Sequence, residues 1–301
     1  MRAVVVGMAY TVITLPVEHF PVAYLPVRDA PISTSVAGSG FTAARTLATL
    51  GDEVYLAAPL GEDAEALAVD AAAYRYGVNS AMSPRSLPRS PRAVVLEDGD
   101  GRRQISRDLG EARTAHVELD LGALATADLV VVDGVLPTAA LISGAQATGV
   151  PVAAGLGTVG EPPSLEQHCY LGADLIVMGH DPRVDEEALL RTWRARSAAR
   201  LVVVTLGRRG AIGMVRDSPD VIDVPARDLG PGPRPAGLGA TYFAALAHYV
   251  FARGCDATTA MQYAATAAAW TIAHPGEPDG LREDVLEAAA ARPDGVVPQA
   301  P

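Results

Sequence analysis

The chain contains the stretch Arg234-Pro235-Ala236-Gly237-Leu238-Gly239-Ala240-Thr241-Tyr242-Phe243-Ala244-Ala245-Leu246, in which two glycines flank one apolar residue and an alanine-rich helical pattern follows at once. A glycine turn that opens a helix leaves several backbone N–H groups unpaired, at the end that carries the positive pole of the helix dipole. Such an end can hold a phosphate or a developing oxyanion. The same pattern can also simply bring a loop into a tightly packed helix, so the rest of the chain has to decide.

The size and composition of the chain limit the fold and the cellular context. With 301 residues, 49% of them hydrophobic, the chain can bury a large core as one α/β domain or one domain with a small appendage. It has no apolar run of about 18 residues and no signal-peptide pattern, so we expect no membrane span. Cys169 and Cys255 form neither a CxxC pair nor a disulfide framework, which predicts a reduced, cytoplasmic protein.

The charged residues exclude several chemistries. The formal charge of −11 argues against nucleic acid as a partner. The chain has no lysine, and its 24 basic residues are all arginine. A Walker A loop, Schiff-base or pyridoxal-phosphate chemistry and a protein-kinase ATP site each need a lysine, so all of these are excluded.

Strand and helix patterns alternate along most of the chain, which predicts a mainly parallel sheet covered on both faces. Strands are expected at Val4–Val6, Glu53–Ala57, Asp128–Val132, Pro151–Ala154, Asp174–Met178 and Leu201–Thr205, with a closing antiparallel pair at Ala211–Val215 and Val221–Val224. Helices are expected from about Gly40 to Leu50 and at Glu62–Tyr76, Thr138–Thr148, Asp185–Ala198, Leu238–Arg253, Ala257–Ile272 and Leu281–Ala290.

Two early segments depart from this alternation. The segment Tyr10–Ser35 is rich in Val, Pro and Thr, and Asp98-Gly99-Asp100-Gly101 is a strong hairpin signal. We therefore predict a single domain over residues 1–301 with a small β lid formed by approximately residues 10–36 and 92–108. A ligand is expected outside the carboxyl ends of the parallel strands.

The sequence matches the motifs of other kinds of functional site poorly. Gly38–Ala43 and Gly155–Gly160 fit G-x-G-x-x-G/A, but a poor strand precedes the first and Glu161-Pro162-Pro163 follows the second. The dinucleotide fingerprint needs a strand, a turn and a helix, so an oxidoreductase is only a trailing alternative. No two of the six histidines stand at i, i+4, and no G-x-S-x-G elbow occurs, which disfavours a metal cage and a serine hydrolase.

Several motifs, in their order along almost the whole chain, resemble those of the ribokinase-like, or PfkB, family of sugar and nucleoside kinases. They are Val6-Gly7 with Phe20-Pro21, Ala37-Gly38-Ser39-Gly40 with Leu50-Gly51, Leu60-Gly61-Glu62-Asp63 with Tyr76-Gly77-Val78-Asn79, Thr205-Leu206-Gly207-Arg208-Arg209-Gly210-Ala211, Gly237-Leu238-Gly239-Ala240 and His274-Pro275-Gly276. The resemblance implies a three-layer α/β sandwich with a β lid, and ATP- and Mg²⁺-dependent phosphoryl transfer to a hydroxyl of a small-molecule sugar or nucleoside.

The resemblance also implies roles for particular residues. The family's anion hole falls on Gly237, Leu238, Gly239 and Ala240. Its nucleotide side falls on Thr205, Gly207, Gly210 and Arg234, and its substrate side on Val12, Gly38, Ser39 and Thr42. The lid would close over the sugar, and its uncovered edge is a candidate homodimer interface.

The departures from the family's motifs are as informative as the matches. Ala240 stands at the general-base aspartate, Arg234 at the first aspartate of the signature, and Val12 where an aspartate usually grips substrate hydroxyls. Ala37 replaces a glycine of the glycine pair, Thr42 an asparagine, and Gly155 an acidic or polar residue. Gly179-His180-Asp181-Pro182 replaces a polar Asn/Glu motif, which leaves His180 and Asp181 as the candidate residues near a metal.

Two functional hypotheses follow. One is a slow kinase, since loss of a general base costs ~10²–10⁴-fold in rate. The other is a non-catalytic metabolite-binding or regulatory protein on the same fold. His248 lies eight residues beyond Ala240, ~12 Å along a helix, which is too far to replace the base directly. No catalytic residue is assigned from the sequence.

Overall fold

The computed structural model describes residues 1–25, 29–159, 163–227, 237–274 and 280–290. The strands are β1 (Arg2–Val6), β2 (Tyr10–Pro16), β3 (Ser33–Ala37), β4 (Glu53–Ala57), β5 (Val78–Asn79), β6 (Arg92–Glu97), β7 (Arg103–Asp108), β8 (Leu129–Asp133), β9 (Val152–Thr158), β10 (Leu175–Gly179), β11 (Leu201–Thr205), β12 (Ala211–Val215) and β13 (Ile222–Val224). The α-helices are α1 (Ser39–Thr49), α2 (Ala64–Arg75), α3 (Leu121–Ala125), α4 (Ala139–Thr148), α5 (Glu186–Arg196), α6 (Leu238–Ala247), α7 (Ala257–Ala273) and α8 (Glu283–Ala290).

The larger sheet is mainly parallel, as predicted. Over the described residues it has nine strands in the order β13-β12-β11-β10-β9-β8-β1-β4-β5. The β11–β12 and β12–β13 pairs are antiparallel, and the other neighbouring strands are parallel. Its central strands are runs of Val, Leu and Ala that are almost wholly buried. Such strands suit a parallel sheet with both faces covered.

Helices cover both faces of this sheet and complete the predicted three layers. One face packs against α1, α2, α6, α7 and α8, through side chains such as Phe41, Val69, Met261 and Leu286. The other face packs against α3, α4 and α5, through side chains such as Leu124, Ile142 and Trp193. The predicted three-layer architecture is therefore confirmed.

A small sheet lies beside the larger one, within the two segments predicted to form the lid. Its strand order is β3-β2-β6-β7, with β2 and β6 parallel and the outer pairs antiparallel. The register aligns Val12 with Ser35 and with Ala93, and Ala93 with Arg107, so these four side chains share one face. We call the sheet of β2, β3, β6 and β7 the small sheet. The prediction of one domain over residues 1–301 stays a prediction.

The long helix predicted after Gly237 is shorter than expected. Helix α6 ends at Ala247, and His248–Ala252 form a turn of π-helix, with the Arg253 N–H donating to the His248 carbonyl at 3.3 Å. A π turn leaves a helical sequence pattern almost unchanged, so the pattern could not reveal it. The short elements β5 and α3 were not predicted.

None of the helices in the described ranges is both long and apolar enough to cross a membrane. The predicted cytoplasmic location stays a prediction.

Candidate functional site

A cavity of about 450 Å³ opens at the carboxyl ends of the central strands. Its floor includes the ends of β1, β8, β9 and β10, its sides are the N-termini of α1 and α6, and its rim includes the small sheet. This is the place expected for a ligand in such a fold. The structure therefore brings one end of the sheet, two helix starts and the predicted lid to a single site.

The residues predicted for the substrate side are only partly brought together. Gly38, Ser39 and Thr42 all line the cavity. Val12 is 6% exposed, within the small sheet, and is not among the lining residues. Thr42 meets the other helix start, because a Cβ on Gly237 would lie 3.3 Å from its Cγ2 atom.

The start of α1 approaches β1 so closely that Gly38 has to be glycine. Its φ is +119°, and a Cβ there would lie 2.2 Å from the carbonyl oxygen of Met8. Phe41, in the first turn, donates its N–H to that same oxygen at 3.1 Å. The glycine thus places the first turn of α1 against the end of β1, at the floor of the cavity.

Replacing Gly38 by alanine is expected to lower the free energy of unfolding by about 3 kcal/mol or more, from backbone strain plus the clash with Met8. Gly51 is the matched control, because its φ is +90° but nothing lies within 4 Å of a Cβ. Gly51→Ala should cost about 1–2 kcal/mol from strain alone. Urea denaturation measures both, and equal losses would contradict the packing role of Gly38.

The start of α6 has the predicted features of an anion site. Its N-cap is Gly237, with φ +95° and no side-chain cap hydrogen bond. A Cβ on Gly239 would project into open space, and Gly237, Gly239 and Ala240 line the cavity. The first-turn N–H groups have no intrahelical acceptors, so this end can receive an anionic oxygen.

A second cavity of about 150 Å³ lies on the other side of this helix start. It is lined by the predicted nucleotide-side residues Thr205, Gly207 and Gly210, by Leu238 and Gly239, and by an apolar face of α7 that includes Ala265 and Ile272. Thr205 and Gly239 line both cavities. Arg234, the remaining nucleotide-side prediction, lies outside the described residues.

Asp133, at the end of β8, is a cavity residue that the sequence interpretation missed. Its Oδ2 atom accepts the Met8 N–H at 2.7 Å and the Ser39 hydroxyl at 2.6 Å, and its Oδ1 atom accepts the Val135 N–H at 3.1 Å. Burial raises the pKa of this carboxyl, and these donors only partly offset the rise. A carboxylate at the carboxyl end of an apolar strand was the available signal.

The raised pKa of Asp133 predicts a pH-dependent cost of folding. The folded state binds this proton more tightly than the unfolded state, so the contribution to stability is greatest below the unfolded pKa and is lost as pH rises through the raised pKa. Asp133→Asn removes the ionisation. Relative to this variant, the wild-type protein should lose thermal stability as the pH rises above about 4, the ordinary pKa of an aspartate.

Asp63, the N-cap of α2, provides a control for which the pH dependence of stability has the opposite sign. Burial raises the pKa of its carboxyl, but hydrogen bonds from Ser90 and Ala66 outweigh burial and lower the pKa overall. The contribution of Asp63 to stability is present above the pKa of the unfolded state, and it is lost as the pH falls through the lowered pKa of the folded state. Wild type should therefore lose stability relative to Asp63→Asn on acidification. Equal slopes for the two variants would contradict the assignment for Asp133.

Arg107, on β7, is the second cavity residue that was missed. It shares the face of the small sheet that carries Val12, and its side chain is exposed. Only the strand register shows that it points toward the cavity, so no motif could have identified it.

His180 and Asp181, the candidate residues near a metal, are engaged with their own turn. His180 Nε2 lies 2.9 Å from the Val184 carbonyl oxygen, and Asp181 pairs with Arg183 at 2.6 Å. Hydrogen bonds from Arg183 lower the pKa of Asp181 to about 2. Over the described ranges, no group of three or more His, Cys, Asp or Glu side chains could hold a metal ion.

Comparison with known proteins agrees with the fold. Residues 2–148 match the sequence model of the pfkB family carbohydrate kinases. The structure is similar to microbiome-derived acarbose kinase Mak1 (TM-score 0.83, 22% identity, 97% of this chain and 99% of that one). It is also similar to Arabidopsis thaliana ribokinase complexed with ribose and ATP, with a TM-score of 0.79 and 22% identity over 96% of this chain and 98% of that one. A third similar structure is Cryptococcus neoformans ribokinase in complex with ADP, with a TM-score of 0.69 and 17% identity over 95% of this chain and 97% of that one.

No curated protein matches the chain. The resemblance to the ribokinase-like, or PfkB, family is nevertheless confirmed, in sequence over residues 2–148 and in fold over nearly the whole chain. The matched residues end before the glycine turn at Gly237, which is where the departures at Ala240 and Arg234 occur.

Proposed function

We propose that this protein is a slow PfkB-like kinase that transfers a phosphoryl group from ATP to a hydroxyl of a sugar, a nucleoside or a related small molecule. The observation that carries the proposal is the pair of cavities that share Thr205 and Gly239 at the uncapped start of α6. Phosphoryl transfer depends mostly on positioning two substrates and stabilising charge between them. Two adjoining cavities with an anion-binding helix start between them meet that need.

The smaller cavity supports a site for the base of a nucleotide. The apolar surface of α7 and Tyr242 suits a base, while Gly207 and Gly239 leave the backbone open to phosphates. Only glycine is accommodated at residue 210, because its φ is +104° and a Cβ would lie 2.1 Å from the Val224 carbonyl oxygen. The phosphates would lie along the start of α6, where the dipole and the free N–H groups favour negative charge.

Carboxylates that could hold Mg²⁺ beside the phosphates are already engaged within the protein. Mg²⁺ usually retains waters and is bound by one or two carboxylates together with substrate phosphates. Asp181 is paired with Arg183, and the Asp133 oxygens accept hydrogen bonds from the protein. The described residues therefore do not form a protein-held magnesium site.

The acceptor would occupy the larger cavity, with its hydroxyl at the start of α6. Ala240 lines the cavity at this point and has no group that can accept a proton. The N–H groups can still stabilise the transferring group, so transfer would proceed without a general base, ~10²–10⁴-fold more slowly than with one.

Calorimetry with ATP, with and without Mg²⁺, followed by an ADP-release assay over sugars and nucleosides, tests the proposal. We expect nucleotide binding and slow, acceptor-dependent ADP release. Gly239→Val is the informative variant, because its side chain would enter space that is open in both cavities. The absence of nucleotide binding in the wild type would overturn the kinase assignment.

A second function has support of its own, namely a non-catalytic metabolite-binding or regulatory protein. The alanine at residue 240 and the paired state of Asp181 favour it. It predicts binding of a small molecule in the larger cavity with no ADP release above the spontaneous rate. Acceptor-dependent turnover that is lost in Gly239→Val would exclude it.

We also propose that the small sheet mediates a homodimer. Ile13 and Val94 are directly opposite in the register and are 44% and 43% exposed on the face away from Arg107. Exposed apolar neighbours on an open sheet are a surface that other chains can cover. Light scattering should give a dimer for the wild type and a monomer for Ile13→Arg, whereas a wild-type monomer would contradict the proposal.

A further inference from the structure

Arg107 gives the larger cavity a positive charge that faces the acceptor position. It lines the cavity from the small sheet, and its register partner Ala93 is buried on the same face. The other charged lining residue in the described part of the chain is Asp133, which is buried at the floor. The rim of the cavity is therefore cationic.

Among the residues that the structure describes, none forms a hydrogen bond or an ion pair with the guanidinium of Arg107. Neighbouring arginines of the small sheet lie within 4.0 Å of a carboxylate, namely Arg92 near Asp108 and Arg103 near Glu97. Arg107 forms no such ion pair in the described parts of the chain. Arginine matches carboxylate and phosphate oxygens with paired N–H donors, so a free one beside a cavity suits an anionic ligand.

Apart from Arg107 and Asp133, the side chains that line the cavity offer a neutral polyol only hydroxyl groups as partners, from Tyr10, Ser39, Thr42, Thr158 and Thr205. Its lining is dominated by glycines and apolar side chains, including Val135, Leu156 and Phe243. Val12 is buried within the small sheet and supplies no carboxylate, and the Asp133 oxygens already accept hydrogen bonds from Met8, Ser39 and Val135. Buried hydroxyls need partners, so a ligand with many hydroxyls would lose hydrogen bonds on entry.

We infer that the acceptor is an anionic hydroxy compound, bound by Arg107 through a carboxylate or phosphate group, with its hydroxyl directed toward the start of α6. The inference rests on the proposed function, because it names the substrate class of the same site. Arg107 binds the acidic group at the rim, and the apolar lining encloses the carbon chain between the two ends. Arg107 serves recognition and takes no part in the chemical step.

Matched ligand pairs test this inference without requiring turnover. Calorimetry would compare gluconate with sorbitol, glycerate with glycerol, and glucose 6-phosphate with glucose. We expect at least one anion to bind more tightly than its neutral partner, and the type of anion distinguishes carboxylate from phosphate recognition. Arg107→Gln should weaken binding of that anion by about 10- to 100-fold and leave the neutral partner unchanged.

Arg92→Gln is the matched control, because Arg92 lies next to Ala93 and points to the opposite face of the same sheet. It removes the same charge and should leave anion binding unchanged. Equal weakening by both variants, or no preference for any anion, overturns the inference. If the anion binds through Arg107 but no ADP is released, the proposed kinase function fails, and only the assignment of Arg107 as an anion-binding residue stands. If neutral sugars are phosphorylated equally by wild type and Arg107→Gln, the inference fails and the kinase function stands.

Discussion

Replacing Ala240 by aspartate is expected to raise the rate of acceptor-dependent ADP release by ~10²–10⁴-fold. Ala240 lines the larger cavity in the first turn of α6, beside the N–H groups of an uncapped helix start. A carboxylate here can accept the proton of the acceptor hydroxyl as the phosphoryl group transfers. The helix dipole also stabilises an aspartate at this position, so the variant should fold at least as well as the wild type.

Ala240→Asn is the matched control for this variant. It has nearly the same shape and can donate and accept hydrogen bonds, but it cannot take up a proton at neutral pH. Steady-state ADP release at saturating ATP would be measured for the three proteins with the best-bound acceptor. A gain in kcat for the aspartate variant alone supports general-base loss as the cause of slow turnover. An equal gain in both variants would show that side-chain size or polarity is responsible.

Much of the fold could be predicted from the sequence because its strands are fully buried. Glu53–Ala57, Leu201–Thr205 and Ala211–Val215 coincide with the observed strands residue for residue. Continuous Val- and Leu-rich runs bounded by turn residues identify such strands and their alternation with helices. The structure places Gly237 in a cavity at the carboxyl ends of the parallel strands, where a ligand was expected, and its role as part of an anion hole stays a prediction.

The charged side chains of the site could not be predicted in the same way. Asp133 was expected to follow the strand ending at Val132, but nothing local shows that it meets Ser39, 94 residues earlier, or Met8. Arg107 required knowledge of the hairpin register. Local patterns specify strands and helices, whereas these contacts depend on the way distant segments pack together.

A further group of charges lies away from the site, beneath the π turn that follows α6. His248 lies between two carboxylates, with Nδ1 at 2.7 Å from Asp52 Oδ2 and Nε2 at 2.5 Å from Glu283 Oε1. The side chains of His248 and Asp52 are 3% and 1% exposed. Each ring nitrogen thus lies at hydrogen-bond distance from a carboxylate oxygen, and the ring links Asp52 to Glu283. Arg253 pairs with Glu283 at the exposed side.

His248→Leu is expected to lower the free energy of unfolding by about 1–3 kcal/mol, because it removes the ring nitrogen that lies against the buried Asp52 carboxylate. The nitrogen of Met1, 3.2 Å from Asp52 Oδ1, remains as a neighbour but does not replace the ring. Urea denaturation followed by circular dichroism measures the loss. The surface control is Asp284→Asn, whose pair with Arg282 is 65% exposed on both sides and should be worth about 0–1 kcal/mol.

The double variant Asp52→Leu with His248→Leu separates the loss of a partner from the loss of packing. It removes both the Asp52 carboxylate and the His248 ring, so no carboxylate is left with a vacant hydrogen-bond position, while the Met1 nitrogen loses its contact with Asp52. A buried ion pair replaced by apolar side chains of similar volume is often neutral or stabilising, so the double variant should recover much of the loss. If its loss instead equals the sum of the losses of Asp52→Leu and His248→Leu measured separately, the two side chains are not energetically coupled. The cluster would then owe its stability to shape alone, and the charges at this helix end would be incidental to the fold.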